Sequence, residues 1–293
     1  MSLDAAAIEA AFLAACHAEI DTLKPGNVHR FAPGHGMTAE TFRVAAAAAA
    51  PAIARPGTAV GTRILEATKA SFSEVGVNAN LGILLLCGPL AAAAEGIDPA
   101  ARKSDPVPAL RQAVGQVLAG LDDADARQAF AAIALASPGG LGTRPDNDVR
   151  TAPTIGLVAA MALAPEADLV ARQYADGFRE VFEVGLVAYD SPAWPPRDDL
   201  GTGPALCVYL AFAGGFPDGH IARKFGAGAA EDCRRRFANF SNALKHLSNP
   251  QERVAAAAVF DAELKAEGLN PGTSADLTVA TLFAKKLAEA LAG

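Results

Sequence analysis

The sequence predicts an all-α fold, and three observations carry that expectation. Alanine dominates and β-branched residues are sparse, so summed helix propensity is high almost everywhere. Apolar residues recur at spacings of three and four over long stretches. No alternating polar–apolar run is long enough to suggest a sheet.

About ten helices are expected, at roughly 4–22, 37–53, 58–75, 78–95, 106–121, 123–136, 150–163, 166–189, 201–213, 220–246, 250–267 and 273–291, with two or three of these short or merged. After Pro165, residues Val170, Tyr174, Phe178, Val181, Phe182 and Leu186 line one helical face. Proline at the first turn and the acids Glu166 and Asp168 suit a helix start. Near the C-terminus Val279, Phe283, Leu287 and Leu291 are each four apart, after a Thr273/Asp276 start that resembles a capping box. The stretch Leu81–Ala94 is apolar on most of its circumference, which places it at the centre of a bundle. No fixed-period repeat points to a solenoid. The Pro-rich stretch Ser191–Arg197 reads as a connection between helices, so residues 1–293 are expected to form one large multi-helix domain.

Composition narrows the function classes. The 293 residues are 51% hydrophobic and 19% charged, which excludes a disordered chain. Lys+Arg is 25 and Asp+Glu 32, a formal charge of -7, and this argues against nucleic acid as a partner. The run Leu81–Ala94, broken by Gly and Pro, falls short of the ~18–20 residues that cross a bilayer, so no membrane partner is expected. Asp4 and Glu9 stand where a signal peptide would carry Lys or Arg. Cys16, Cys87, Cys207 and Cys233 form no CxxC pair, and reduced buried thiols fit a cytoplasmic protein. The composition is also compatible with a homo-oligomer.

The chemistry is concentrated in five irregular segments. The first runs Lys24-Pro25-Gly26-Asn27-Val28-His29-Arg30, then Gly34-His35-Gly36-Met37; its cations and histidines suit an anion site or, more plainly, a helix end with solvated charges. The second is Gly76-Val77-Asn78-Ala79-Asn80-Leu81-Gly82. One asparagine suffices as an N-cap, leaving the other an amide for a hydroxyl or a purine edge; Glu66, one helix earlier, is placed to face it. The third, Ser137–Arg150, combines glycines and arginines with Asp146 and Asp148, hard-oxygen candidates for Mg²⁺. In the fourth, His220, Arg223 and Lys224 share one helical face at a helix start, while Arg234, Arg235 and Arg236 read as a solvated basic face. The fifth, Asn270-Pro271-Gly272-Thr273-Ser274-Ala275-Asp276-Leu277, feeds a helix N-terminus. It suits a phosphate cradle or a well-made cap, with Asp276 as cap, metal ligand or sugar contact. Convergence of these segments would make a polar pocket at one end of the bundle, suited to a phosphorylated sugar with Mg²⁺.

The order KPGNVHR, NANLG before an apolar helix, PGGLG…DNDVR, and NPGTSADL resembles the triphosphoribosyl-dephospho-CoA synthase family over essentially the whole chain. DNDVR and HIARKFG resemble its archaeal and methylotroph-type branch. The resemblance implies an all-α fold and a pentosyltransferase: ATP loses adenine, and its triphosphoribosyl group joins a ribose hydroxyl of 3′-dephospho-CoA. Where the synthases carry a Thr-Gly-Gly-Val-Asn-Thr-His-Lys-Gly type motif, Gly76, Asn78 and Gly82 match, and Asn80-Leu81 replace His-Lys. An alternative is phosphoribosyl transfer from phosphoribosyl pyrophosphate to a ribitol or ribose acceptor in tetrahydromethanopterin synthesis. A metal-dependent helical hydrolase and a non-catalytic helical partner are further alternatives.

Ribosyl transfer passes through an oxocarbenium-like state, so the expected roles are specific. Asp148, His29 and Glu66 are the candidate catalytic groups, and Asp146, Asp148 and Asp276 the candidate Mg²⁺ ligands. Lys24, Asn27, Arg30, His35, Asn78, Asn80, His220, Arg223, Lys224, Thr273 and Ser274 are the candidate substrate and phosphate contacts.

Overall fold

The computed structural model describes residues 3–97, 105–136, 155–164, 168–191 and 203–293. Among the described residues it is all-helical, with no strand and only two isolated bridges, His29 to Ala32 and Gly34 to Met37. The helices are α1 (Ala5–Ile20), α2 (Ala39–Ile53), α3 (Val60–Val75), α4 (Leu81–Gly96), α5 (Pro106–Ala119), α6 (Asp123–Ala136), α7 (Leu157–Ala162), α8 (Leu169–Ala175), α9 (Leu186–Tyr189), α10 (Pro204–Gly215), α11 (Gly219–Phe225), α12 (Ala227–Lys245), α13 (Pro250–Ala266) and α14 (Gly272–Ala292). None is long and apolar enough to cross a membrane.

Two expected helices are broken, each at a left-handed residue. The segment expected at 166–189 stops where Gly177 and Phe178 both take positive φ, 64° and 59°. It resumes as a π-helical turn, Val181–Gly185, that leads into α9. Gly185 owes its place there to contact, because a Cβ would collide with the Thr281 side chain of α14. The segment expected at 220–246 divides into α11 and α12 at Gly226, φ 90°. At the first break tertiary packing against α14 overrides a continuous helical pattern; at the second a single left-handed glycine ends the helix.

Two apolar cores share two helices. The larger gathers side chains from α1 to α6, α8 and the central α14. Helix α4, apolar from Leu81 to Ala94, is buried along nearly its whole length, as an amphipathic surface helix could not be. Phe12 of α1 meets Phe283 of α14 edge-on at 5.8 Å. The smaller core is built from α10 to α13 around Tyr209, Phe237 and Phe260. Helices α10 and α14 contribute to both, Ala275 facing the smaller core and Leu277 the larger. The N-terminus of α14 therefore lies on the seam between the cores, where polar groups have apolar packing on both sides. The four cysteines are free and buried.

Candidate active site

The residues before α14 anchor the first loop. The Asn27 amide donates to Asn270 Oδ1 at 2.8 Å, both residues buried. Tyr209 of α10 donates its hydroxyl to the Pro25 carbonyl at 2.7 Å. Gly26 takes φ 80°, and a Cβ there would come within 3.1 Å of the Leu269 carbonyl, so glycine is required for this approach. Its N–H donates to Asp261 Oδ1 of α13 at 2.8 Å. His35 closes the loop over itself by donating Nε2–H to the Gly26 carbonyl at 2.8 Å.

Asp218, which sequence reasoning did not single out, clasps α11 to α14. Its Oδ1 accepts from the His220 and Ile221 N–H groups at 2.9 and 3.3 Å. Its Oδ2 accepts from the Ser274 N–H and hydroxyl, both at 2.8 Å. The Thr273 hydroxyl accepts from the His220 N–H at 3.2 Å. The expected Thr273/Asp276 capping box does not form; the N-cap position is Pro271, and no side chain of the helix caps it. A buried carboxylate from α11 instead occupies the place at this helix terminus where the sequence allowed a phosphate. Thr273 and Ser274 are thus engaged with α11, and both are buried.

The second loop meets the same terminus from the other side. Asn78 Oδ1 accepts from the Leu81 N–H at 3.2 Å, at the start of α4, whose N-cap position is Asn80. Asn80, buried, accepts from the Ser71 hydroxyl at 2.8 Å, and its Nδ2 has no partner. Gly82 lets α4 pass against Asp276; a Cβ there would lie 2.6 Å from the Asp276 Cγ. Among the described residues, Asp276 has no hydrogen-bond or ion-pair partner. Burial pushes its carboxyl well above the usual range; negative Asp218, Glu19 and Asp168 add to this, and Arg223 opposes it. Gly82→Ala is expected to displace Asp276 and remove most turnover, with a stability loss of about 1–3 kcal/mol from overpacking. Assay of turnover per folded molecule, with circular dichroism for the folded fraction, checks this.

The cations divide into committed and available ones. Lys24 does not face outward as an expected phosphate ligand. It is fully buried, paired with Glu19 at 2.6 Å and donating to the Val28 carbonyl at 2.6 Å. The Glu19 carboxylate at the end of α1 and the Val28 carbonyl of the following loop satisfy it, which explains a charge at that depth. Arg223 pairs with Asp168 at 3.3 Å, and its Nε is buried without a partner. Lys224 is exposed, over the Phe225 ring at 4.9 Å. Arg30 lies over the ring of Phe31, itself 48% exposed, at 4.6 Å. Burial holds His220 below the usual histidine range, and the Arg223, His35 and Lys224 charges add to the effect against Asp218.

His29 is the third site residue with an unanswered atom. Its Nε2 lies 3.2 Å from Asp261 Oδ2 and its buried Nδ1 has no partner. Asp261, also missed in the sequence, pairs with Lys265 at 2.9 Å. It stands in mid-helix with a lysine four residues on, a pattern shared with ordinary surface pairs. Asp218 did carry a signal, an acid before Gly-His at a helix start, but its reach to Ser274 has none.

Four of the five loops therefore converge on the N-terminus of α14: the first through Asn27, the second through Gly82, the fourth through Asp218, and the fifth directly. Glu66 is engaged elsewhere, half-exposed and paired with Lys69 at 2.9 Å. The third loop, with Asp146 and Asp148, lies outside the described residues.

The helical architecture is that of an all-α transferase family once the comparisons are added. The profile of the CitG family, ATP:dephospho-CoA triphosphoribosyl transferase, matches residues 5–292, and the chain belongs to that family. A crystal structure from Archaeoglobus fulgidus, of a protein provisionally assigned as triphosphoribosyl-dephospho-CoA synthase, is similar at a TM-score of 0.61 and 25% identity. The similarity covers 84% of this chain and 97% of that one. Among curated proteins the comparison finds no match.

Proposed function

We propose that the junction at the α14 N-terminus carries transfer of the triphosphoribosyl group of ATP to a ribose hydroxyl of dephospho-CoA, with release of adenine. One observation supports this placement. Among the described residues, the buried side-chain atoms without a hydrogen-bond partner are His29 Nδ1, Asn80 Nδ2 and Arg223 Nε, and all three belong to converging loops. Native proteins rarely leave such groups unanswered, so each is a candidate for a bond that a substrate completes.

Each atom suits one part of the reaction. The bond broken joins the ribosyl anomeric carbon to adenine nitrogen, and the bond formed joins that carbon to the acceptor oxygen. His29 Nδ1, as a neutral acceptor, takes the acceptor hydroxyl proton, and the departing adenine gains one. Asn80 Nδ2 donates to a ribose hydroxyl. Arg223, His220 and the exposed Lys224 meet phosphate oxygens.

Mg²⁺ belongs to the same reading. Among the described residues no three His, Cys, Asp or Glu side chains form a ready metal cluster. Mg²⁺ on a polyphosphate needs only one or two protein carboxylates, and Asp276 is a carboxyl crowded by negative neighbours. The residues present therefore fit the ion, with Asp276 as its protein contact. Bound there, it would neutralise charge on the polyphosphate.

Incubation with ATP and Mg²⁺, with and without 3′-dephospho-CoA, tests the reading by chromatography of adenine. Acceptor-dependent adenine release is expected. No adenine in either reaction, together with thermal stabilisation by phosphoribosyl pyrophosphate, would overturn the donor and direct the search to the tetrahydromethanopterin-type acceptor.

A further inference from the structure

The Asp261 carboxylate sits at a crossroads that the reaction scheme above does not use. Its Oδ1 accepts from the Gly26 N–H at 2.8 Å, and its Oδ2 faces His29 Nε2 at 3.2 Å and Lys265 Nζ at 2.9 Å. Lys265 Nζ also lies 3.4 Å from His29 Nε2, but that ammonium has Asp261 Oδ2 at 2.9 Å and the Ala32 carbonyl at 3.4 Å to donate to. A carboxylate oxygen only accepts, so the nearer Asp261 assigns the hydrogen to Nε2. The neutral His29 ring then holds its hydrogen on Nε2, and Nδ1 presents a bare lone pair. That is the buried ring atom without a partner. The 235 residues between Gly26 and Asp261 make this a tertiary device, fixing both the loop and the ring.

We infer that Asp261 is a positioning residue for ribosyl transfer, which fixes the His29 tautomer so that Nδ1 is free to accept the proton of the acceptor hydroxyl. The inference rests on the proposed transfer reaction and deepens it. The principle is the one by which a buried aspartate orients a catalytic histidine elsewhere without itself gaining the proton. The charged groups around the ring are Asp261, Lys265 and Lys24. Burial lowers the His29 value, Asp261 raises it, and the two lysines lower it further, with a net fall. The fall favours the neutral ring, which an acceptor must be. Asp261 in turn is a stable anion. Burial alone would raise it, but hydrogen bonds from His29 and Lys265 outweigh burial and hold it below the usual carboxylate range.

Asp261→Asn separates positioning from structure. The amide oxygen still accepts from Gly26, while the amide nitrogen now donates toward His29 Nε2. The ring must then place its hydrogen on Nδ1, which removes the acceptor. Acceptor-dependent adenine release is expected to fall by about 10²–10⁴ in kcat, with the KM for ATP within a few-fold of wild type. The pH profile should change as well. Wild type loses activity as pH falls through the lowered His29 value, and the variant loses that limb. His29→Ala should remove the limb too, with partial rescue by added imidazole.

A substrate-free measurement keeps this distinct from the fate of the transfer reading. Long-range ¹H–¹⁵N correlation on the whole protein, with His29 assigned by its absence in the His29→Ala spectrum, reports which ring nitrogen carries hydrogen. Hydrogen on Nε2 in wild type and on Nδ1 in Asp261→Asn is expected. Hydrogen on Nδ1 in wild type overturns the inference whatever the substrate. Wild-type kcat with an unchanged pH profile in the Asn variant overturns it as well. Absence of adenine release from wild type, with the expected tautomers, would instead remove the reaction and leave the device intact.

Discussion

Asp276→Asn is expected to lower turnover by at least about 100-fold and, at neutral pH and without Mg²⁺, to make the protein more stable. The two effects share one cause. Burial and the Asp218, Glu19 and Asp168 charges hold this carboxyl well above its usual value. A carboxyl whose folded-state value lies above its unfolded one binds its proton more tightly in the folded chain. Its contribution is therefore full below an unfolded value of about 4 and is lost as pH climbs through the folded-state value. The amide has no charge to desolvate and nearly the same shape, so it fits against Gly82 as the acid does. The difference in melting temperature between variant and wild type should be near zero at pH 4 and grow toward pH 8. A gain of about 1 kcal/mol would appear as roughly 2–4 °C in a chain of this size. Thermal melts at the two pH values, beside the adenine assay, check both halves. A variant that is less stable at pH 8, or one that turns over at the wild-type rate, would remove Asp276 as a destabilised functional group.

A group expected both to weaken the fold and to serve the reaction marks where sequence reading succeeds and where it ends. Helix positions follow from local pattern, and the apolar circumference of Leu81–Ala94 is enough by itself to place α4 at the centre. The breaks at Phe178 and Gly226 do not follow from the apolar pattern: the first lies where α14 packs against the π-helical turn, and the second is a single left-handed glycine. The site divides the same way. Short segments rich in Asn, His and Asp were legible because an alanine-rich chain has little reason to carry them. Their partners were not. Lys24 reads as an exposed cation until Glu19 is seen one turn back in the same interior. Ser274 reads as a phosphate donor until Asp218, 56 residues away, is found on its N–H and hydroxyl. The Asn80-Leu81 departure also changes meaning in three dimensions. Leu81, where the family motif has lysine, is buried in the larger core. The neighbouring Asn80 keeps a free amide nitrogen at the junction.

Asp218→Ala should be the most damaging single change to the fold around the site. The alanine leaves the His220, Ile221 and Ser274 N–H groups and the Ser274 hydroxyl without their acceptor, although Thr273 still receives His220. Ile221 and Ser274 are fully buried, so water cannot replace the carboxylate freely. Loss of a cap costs about 0.5–2 kcal/mol, and a buried donor left unpaired about 1–3 kcal/mol. Together these point to roughly 3–5 kcal/mol, or a fall in melting temperature of about 6–20 °C. Ser274→Ala removes only the hydroxyl bond and should cost about 1 kcal/mol. The ordering of the two variants tests the clasp more sharply than either size alone. No loss in Ser274→Ala would mean that the carboxylate acts only as the local cap of α11. A loss of about 1 kcal/mol there, beside the larger loss in Asp218→Ala, would mean that it also binds α11 to the N-terminus of α14. Its consequence for activity follows from the same geometry. With the clasp open, His220 and Arg223 are no longer held against the terminus that carries Asp276, so turnover per folded molecule should fall along with stability.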